Sequence, residues 1–137
     1  MSADGSGPVS ADGAPPLPAD GRIYHLTSRS AWDAAQPGGI YRTSTHGMTL
    51  EEVGFIHAST AEQVPWVADL VYANVDEELV LLVMDVDTLE RAGLPVVFED
   101  PGVGQHFPHI YGELPCHLVV EARRAYFDED GVLRSEA

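Results

Sequence analysis

The sequence contains no lysine, and its 7 basic residues, all arginine, stand against 22 aspartates and glutamates, giving a formal net charge of −15 at pH 7. Such a charge repels phosphate backbones and anionic membrane surfaces, so we expect no nucleic-acid or membrane partner. The only cysteine is Cys116, so no disulfide can form within the chain. The longest apolar run, residues 79–84, is too short to span a bilayer. No secretory signal pattern occurs at the start, so we expect a cytoplasmic protein.

The first 21 residues differ in composition from the rest of the chain. They consist mainly of glycine, proline, serine, alanine and aspartate, and the only large apolar side chains among them are Met1, Val9 and Leu17. Because these side chains cannot offset the entropy lost on ordering, residues 1–21 are predicted to form a disordered arm. Residues 22–127 then suffice for one domain with one core, and the acidic end at residues 128–137 is expected to fray.

Hydrophobic patterning in the first part of the domain predicts short elements. Residues 23–27 alternate and are rich in strand-forming side chains, which predicts a first strand. Ser30 is placed to cap a short helix that ends near Gln36, before a Pro-Gly-Gly sequence. Thr49 begins a capping-box spacing that predicts a single helical turn.

The second part of the domain predicts more strands and one main helix. Residues 55–58 form a short strand, and Ser59 begins a second capping box that predicts the main helix. The apolar run 79–85 predicts a central strand, residues 94–99 its neighbour, and residues 118–127 the last strand. This pattern favours an α+β fold of small curved mixed or antiparallel sheets with two main helices. Neither a phosphate-binding loop nor a Rossmann fingerprint occurs, which argues against a mononucleotide kinase and a classical dehydrogenase.

Three of the six histidines, His25, His57 and His109, lie in or at the end of predicted strands. Because side chains alternate along a strand, His57 shares a face with Phe55. If His25 and His57 face a common groove, Ser59 lies at its rim, beside the N–H groups of a helix start that favour an anion. Since an imidazole can carry a proton near neutral pH, His57 and His109 are the catalytic candidates. The alternative is that these histidines are structural and that Ser59 only caps a helix.

Two other kinds of site have weaker support in the sequence. His106 and His109 are three residues apart, but the Phe-Pro pair between them prevents a helix from placing both on one face. No cysteine cluster, zinc-binding helix motif or aspartate-rich calcium loop occurs, so no metal is expected. A triad of Ser59, a histidine and Glu99 would lack the Gly-x-Ser-x-Gly turn, and Glu99 also suits a solvated strand end.

Several motifs together resemble a known family. They are Tyr-His-Leu-Thr at residues 24–27, Gly-Phe-Ile-His-Ala-Ser-Thr at 54–60, Leu-Leu-Val-Met-Asp at 81–85 and Phe-Pro-His-Ile-Tyr-Gly at 107–112. With Trp32 after the first strand, they resemble the family catalogued as domain of unknown function 952. The resemblance spans about residues 22–125 and implies no established activity.

The order of elements also resembles, more distantly, the ADP-ribosyltransferase superfamily, which includes the RNA 2′-phosphotransferases. In that superfamily NAD lies in a cleft between two small sheets. The resemblance implies that His25 holds the adenosine-side ribose, and that Phe55 and His57 belong to the motif that packs on nicotinamide.

The chain departs from that superfamily at its third motif. A late-strand glutamate is usual there, whereas residues 107–111 offer His109, and Glu99 or Glu113 would have to swing in. The phosphotransferases also lack the glutamate, but they hold two phosphates with several basic residues. Arg42 is nearly the only cation available for that task here, and an RNA substrate conflicts with the net charge of −15.

The preferred hypothesis from the sequence is an enzyme, or former enzyme, with an ADP-ribosyltransferase-like fold that binds NAD or a related nucleotide. Its cleft would be lined by His25, Thr27, Arg42, His57, Ser59 and His109. His25 would bond ribose hydroxyls, Ser59 and the helix start would receive a phosphate, and His57 or His109 would carry a proton. Two alternatives stay open: a non-catalytic module that binds a small molecule or partner, and an enzyme that uses general acid–base chemistry on an uncharged metabolite.

Overall fold

The computed structural model describes residues 20–136, so the arm predicted for residues 1–21 lies outside the described residues except for its last two. In the described part, short helices alternate with strands that pair only antiparallel, which confirms the α+β prediction. The strands are β1 (Arg22–Ser28), β2 (Ile40–Tyr41), β3 (Thr43–Thr45), β4 (Met48–Thr49), β5 (Ile56–His57), β6 (Leu79–Asp85), β7 (Val96–Glu99), β8 (Phe107–Ile110), β9 (Leu114–Pro115), β10 (Glu121–Phe127) and β11 (Leu133–Glu136). The helices are α1 (Arg29–Ala35), α2 (Leu50–Val53), α3 (Val64–Val67), which continues as a π-helix (Ala68–Tyr72), α4 (Val86–Arg91) and a 3-10 helix (Cys116–Leu118).

The largest sheet has the strand order β1-β6-β10-β11. Its central strand β6 is apolar along almost its whole length because both of its faces are covered. On one face Leu81 packs in a cluster with Tyr24, and on the other Leu82 packs in a cluster with Ile23. Strand β6 is the centre of the core because its side chains belong to both clusters. Fully burying one leucine side chain contributes about 2 kcal/mol.

A second sheet has the order β5-β8-β7, and a backbone bridge joins the chain beside it to the first sheet. The backbone groups of Tyr24 and Ser59 exchange hydrogen bonds of 2.8 and 2.7 Å, which joins β1 to the chain just after β5. Ile56 and Ile110 are paired across β5 and β8 and pack into the cluster that contains Leu82. The other face of this sheet carries side chains that belong to neither of the two core clusters. Two further sheets pair β2 with β9 and β3 with β4.

The prediction that residues 94–99 neighbour the central strand is wrong. The strand in that region, β7, pairs with β8, whereas β6 lies between β1 and β10. Helix α4 follows β6 directly and buries Val86 and Leu89. The strand after this helix, β7, belongs to the second sheet. An apolar run shows that a strand is buried, but it does not say which strand lies beside it.

The helix starts differ from the predicted ones in two of three places. Ser28 caps α1 instead of Ser30, and the capping box at Thr49 is confirmed. The box predicted at Ser59 is wrong, because Ser59 is held in the bridge to β1 and the helix begins only at Val64, with a proline in its first turn. Across residues 20–136, none of the helices combines the length and apolar character that a membrane crossing needs.

The acidic C-terminal end is ordered as a hairpin. Strand β11 pairs with β10, so the largest sheet reaches as far as residue 136. The Asp128 carboxylate accepts hydrogen bonds from the backbone N–H groups of Asp130 and Val132 and pairs with Arg134 at 2.8 Å. These bonds close the turn, which explains why this end continues the sheet instead of fraying.

Candidate functional site

One face of the β5-β8-β7 sheet carries a row of aromatic and titratable side chains. His57 and His109 stand directly opposite each other in β5 and β8, with ring centroids 5.1 Å apart. Alternation along the strands places further members of the row beside them. We call this row the histidine face; it consists of Phe55, His57, Glu99, Phe107, His109 and Tyr111.

His109 is buried and fixed from two sides. Its Nδ1 lies 2.7 Å from Glu99 Oε1, which also accepts a hydrogen bond of 2.5 Å from the Tyr111 hydroxyl. The ring of Phe55 stacks on the imidazole at 3.8 Å and 13°. Because a carboxylate can only accept, the proton of neutral His109 is on Nδ1, and Nε2 is an acceptor. This Nε2 is buried and has no hydrogen-bond partner among the described residues.

The protonation states of His109, Glu99 and Tyr111 follow from burial and hydrogen bonding. Burial lowers the pKa of His109, and the hydrogen bond and charge of Glu99 offset part of that shift. The pKa of Glu99 is lowered chiefly by the Tyr111 hydroxyl and further by His109, while the bond to Glu99 raises the pKa of Tyr111. Near neutral pH the group is therefore a carboxylate that accepts from a neutral imidazole and a protonated phenol.

His57 is the member of the histidine face that reaches an open space. Its side chain is half-buried, and its pKa is lowered to about 4 by burial, with further contributions from His109 and His25. Its ring makes no hydrogen bond with another described residue and packs 5.3 Å from the ring of Phe107. At neutral pH it is a neutral imidazole that offers a ligand either a donor or an acceptor.

An apolar pocket of about 280 Å³ lies beside His57. The sheet contributes His57 and Phe107, and the α3 and π-helix segment contributes Trp66 and Leu70. The lining contains no charged side chain, and the volume is close to the lower end of the roughly 300–1,000 Å³ of ligand pockets. Trp66 and Leu70 are 40% and 66% exposed at its rim. The pocket therefore suits a small, uncharged molecule, and π-helical turns such as this one are common at functional sites.

The loop after β7 forms another part of the lining with Pro101 and Val103. The Asp100 carboxylate holds this loop by accepting hydrogen bonds from the backbone N–H groups of Gly102, Val103 and Gly104, at 2.7 to 3.1 Å. These bonds also lower the pKa of Asp100. The loop thus has a defined shape although its residues are exposed.

His25, predicted to hold a ribose, and Thr27, predicted to line the cofactor cleft, lie inside the protein. His25 Nδ1 is 2.5 Å from the carbonyl oxygen of His57, and the Tyr41 hydroxyl lies 2.7 Å from both His25 Nε2 and Thr27 Oγ1. Burial lowers the pKa of His25 to about 4 and raises that of Tyr41. Both ring nitrogens of His25 are bonded to protein, so in this structure neither is available to a ribose.

Ser59 and Arg42 also lie apart from the histidine face. Ser59 is buried in the bridge to Tyr24, and it does not cap a helix. Arg42 is exposed and pairs with Glu113 at 2.5 Å. The structure thus brings together the two predicted catalytic candidates, His57 and His109, whereas none of the four residues predicted to bind a cofactor belongs to the histidine face. The roles of all six stay predictions.

His57 is the one pocket residue that was a site candidate from the sequence; Trp66, Leu70 and Val103 are among the lining residues that were not. Leu70 is exposed and lies in the π-helix that continues α3. An exposed tryptophan next to an exposed leucine is a usable signal for a binding surface, but only once the exposure is known.

A larger surface cleft lies elsewhere in the described part of the chain. It measures about 450 Å³ and lies between residues 75–79 and 124–127, with Asp76, Glu77 and Glu78 on one side and Arg124 on the other. None of the predicted site residues lines it, and Arg124 is paired with Glu136. Among residues 20–136, no group of three or more metal-ligating side chains gathers. The histidine face with its pocket is therefore the better candidate site.

The chain is similar in sequence and fold to a protein of known structure. Protein CC0527 from Caulobacter crescentus, in its crystal structure, is 31% identical over 82% of this chain and 93% of that chain, with a TM-score of 0.69. Its solution NMR structure gives 32% identity over 81% and 90%, with a TM-score of 0.66. No curated protein matches the chain. Residues 26–122 match the family described as "Protein of unknown function (DUF952)", and the chain therefore belongs to that family.

Proposed function

We propose that the chain is an enzyme that uses general acid–base chemistry on a small uncharged molecule bound in the pocket beside His57. The observation that carries the proposal is the buried His109, whose Nδ1 is fixed by Glu99 and whose Nε2 has no partner among the described residues. His57 lines the pocket and His109 lies behind it, with the two ring centroids 5.1 Å apart. A buried acceptor without a partner costs about 1 to 3 kcal/mol, so a substrate donor that reaches past His57 to this nitrogen would be stabilised there.

His109 is the proposed base. When its Nε2 takes a proton from a substrate, the imidazolium forms 2.7 Å from the Glu99 carboxylate, which stabilises the charge and keeps the ring in one orientation. The Tyr111 hydroxyl holds the same carboxylate oxygen. The Glu99 side chain is 40% exposed, so a proton can pass from this end of the group to water.

His57 is the proposed contact between substrate and base. It lines the pocket, and its ring lies 5.1 Å from that of His109. Because its pKa is lowered to about 4, it is neutral near pH 7 and bonds a substrate as a dipole instead of protonating it. His57 therefore positions the substrate, and His109 carries the proton.

A transferase that uses NAD, as the resemblance to the ADP-ribosyltransferase superfamily implies, is the second candidate. The presence of several small antiparallel sheets favours it. The groups expected to hold ribose and phosphates are engaged elsewhere, His25 with Tyr41 and Arg42 with Glu113. If NAD bound to His25 and Arg42, their bonds to Tyr41 and Glu113 would have to be replaced by bonds to NAD, so we rank this function second.

A binding screen followed by turnover assays tests these functions together. The purified chain, with its histidines labelled with ¹⁵N, is mixed in turn with a panel of uncharged metabolites, with NAD and with ADP-ribose. We expect an uncharged compound to shift the ring signals of His57 and His109. Its turnover should fall about a hundredfold or more in His109→Gln, and it should persist in His117→Gln, a control at an exposed histidine.

The possible results separate the candidates. NAD or ADP-ribose shifting these signals while no uncharged compound does would favour the transferase. A ligand that binds but is not converted under any condition would identify a non-catalytic module. Turnover that His109→Gln leaves unchanged would refute the proposed base.

A further inference from the structure

The pocket beside His57 has an aromatic part and an aliphatic part. The Trp66 and Phe107 rings lie 5.6 Å apart at 30°, and the His57 ring continues the row 5.3 Å from Phe107 at 46°. Leu70 and Val103 belong to the rest of the lining and are exposed at the rim. Phe107 is fully buried, and Trp66, 40% exposed, is the ring of this row that offers an unfilled stacking surface.

We infer that the pocket takes a planar, uncharged ring that carries one hydrogen-bond donor, such as a phenol-type hydroxyl or a ring N–H. The ring would pack on the exposed face of Trp66, beside the buried Phe107, and the donor would reach the imidazole of His57. This inference names the substrate class of the proposed function and rests on it.

Planarity follows from the aromatic row. Stacked or edge-to-face aromatic contacts stabilise a complex beyond the burial of area alone, and a puckered ring of the same size makes them poorly. The rest of the lining accepts flat and puckered rings alike, because burial of apolar area does not depend on direction. Trp66, 40% exposed, is the group that distinguishes the two.

The lack of charge follows from the lining and from the whole chain. No lysine, arginine or acidic side chain lines the pocket, and the formal net charge is −15. An anionic ring would lose its hydration without meeting a cation. Neutral His57 can accept from a donor on the ring, and a donor is favoured over an acceptor because the unpartnered Nε2 of His109 beside it can only accept.

Four probes test this inference on the whole chain: phenol, cyclohexanol, benzene and benzoate. Phenol and cyclohexanol share one hydroxyl on a six-membered ring and differ in planarity. Binding is measured from the indole N–H signals of the two tryptophans, Trp32 and Trp66, and from the ring-current shifts of the probe. We expect phenol to bind at least threefold more tightly than cyclohexanol, to outbind benzene and benzoate, and to shift Trp66.

Variants identify the residue responsible. In Trp66→Leu the preference for phenol over cyclohexanol should fall to about one, while both still bind. Val132→Ala, an exposed apolar residue outside the lining, should keep the wild-type preference. The upfield shift of phenol protons in the wild type is independent of any substitution, so the test holds even if a variant folds poorly.

The inference is overturned if cyclohexanol binds as tightly as phenol, if phenol leaves Trp66 unshifted, or if benzoate binds most tightly. Its failure is distinct from that of the proposed function. Aliphatic substrates whose turnover depends on His109 would refute the ring preference alone. Ring selectivity in a chain whose turnover ignores His109→Gln would refute the general-base role alone.

Discussion

Mild acid should destabilise the fold through His25, which is buried and bonded at both ring nitrogens. Its pKa falls from 6.5 to about 4 on folding, because burial disfavours the charged ring. Between those values the unfolded chain takes up a proton that the folded chain does not. The stability that neutral His25 provides is therefore complete above about pH 6.5 and is lost as the pH falls towards 4.

The magnitude follows from the same shift. At about pH 5, protonation of His25 in the unfolded chain lowers the free energy of unfolding by the equivalent of roughly 1.5 pK units. This is a loss of about 2 kcal/mol from this one group. His57 adds to the loss in the same direction, since its pKa is also lowered to about 4. The carboxylates with lowered pKa, such as those of Asp100 and Asp128, titrate mainly below this range, so the window isolates the histidines.

Urea unfolding at about pH 7.5 and about pH 5.0 measures the effect. We expect the wild type to lose at least about 2 kcal/mol between the two conditions, and His25→Gln to lose about 2 kcal/mol less than the wild type does. The control His117→Gln, at an exposed position, should behave like the wild type. A stability that is flat over this range, or an equal loss in His25→Gln, would refute the reasoning. A direct NMR titration that places the pKa of His25 near 6.5 would refute it without any substitution.

Three further substitutions have defined outcomes. His57→Ala should lower the free energy of unfolding by only about 1 kcal/mol, because the side chain is half-buried, and urea unfolding checks this; a loss of several kcal/mol with ligand binding intact would make it a core residue. Glu99→Gln should lower the pKa of His109 further, since it removes the charge that raises it, and NMR titration checks this; an unchanged pKa would contradict the pairing. Gly112→Ala should lower the free energy of unfolding by about 1 to 3 kcal/mol, because the φ of Gly112 is +145° and a Cβ there would lie 2.5 Å from Cδ2 of Leu94. A lower melting temperature would show this loss. Gly38→Ala, with open space around it, is the matched control and should have little effect.

The elements that depend on neighbouring residues were predictable from the sequence. The alternation over residues 23–27 and the apolar run 79–85 both correspond to strands, β1 and β6. The capping box at Thr49 is present with both of its hydrogen bonds. Each of these features depends on side chains within a few residues, where spacing and chemistry act directly.

Features that depend on distant parts of the chain were not predictable in the same way. The equivalent box at Ser59 fails because the backbone of Tyr24, far away in sequence, takes the hydrogen bonds of Ser59 instead. The neighbour predicted for residues 94–99 is also wrong, because the pairing of β7 with β8 does not follow from the residues of β7 themselves. Alternation placed His57 on one face with Phe55, but the pairing of His57 with His109 depends on two strands about fifty residues apart.

The candidate site was predictable in part, through its residue types. Histidines beside aromatic residues in strands pointed to His57 and His109. Glu99 was ambiguous as a strand-ending acid, and only the structure places it 2.7 Å from His109. Trp66 attracts attention only through its 40% exposure, which the sequence does not contain.

Strand β5 is only two residues long, so the alignment of His57 with His109 rests on very few backbone bonds. The bridge between Tyr24 and Ser59 and the contact of His25 with the carbonyl of His57 hold its far end. Such a short segment can open without the core around β6 unfolding, because local opening requires less free energy than global unfolding. On warming, the pairing of the two histidines is therefore expected to be lost before the domain melts, and the amide of His57 should exchange its hydrogen faster than those of β6.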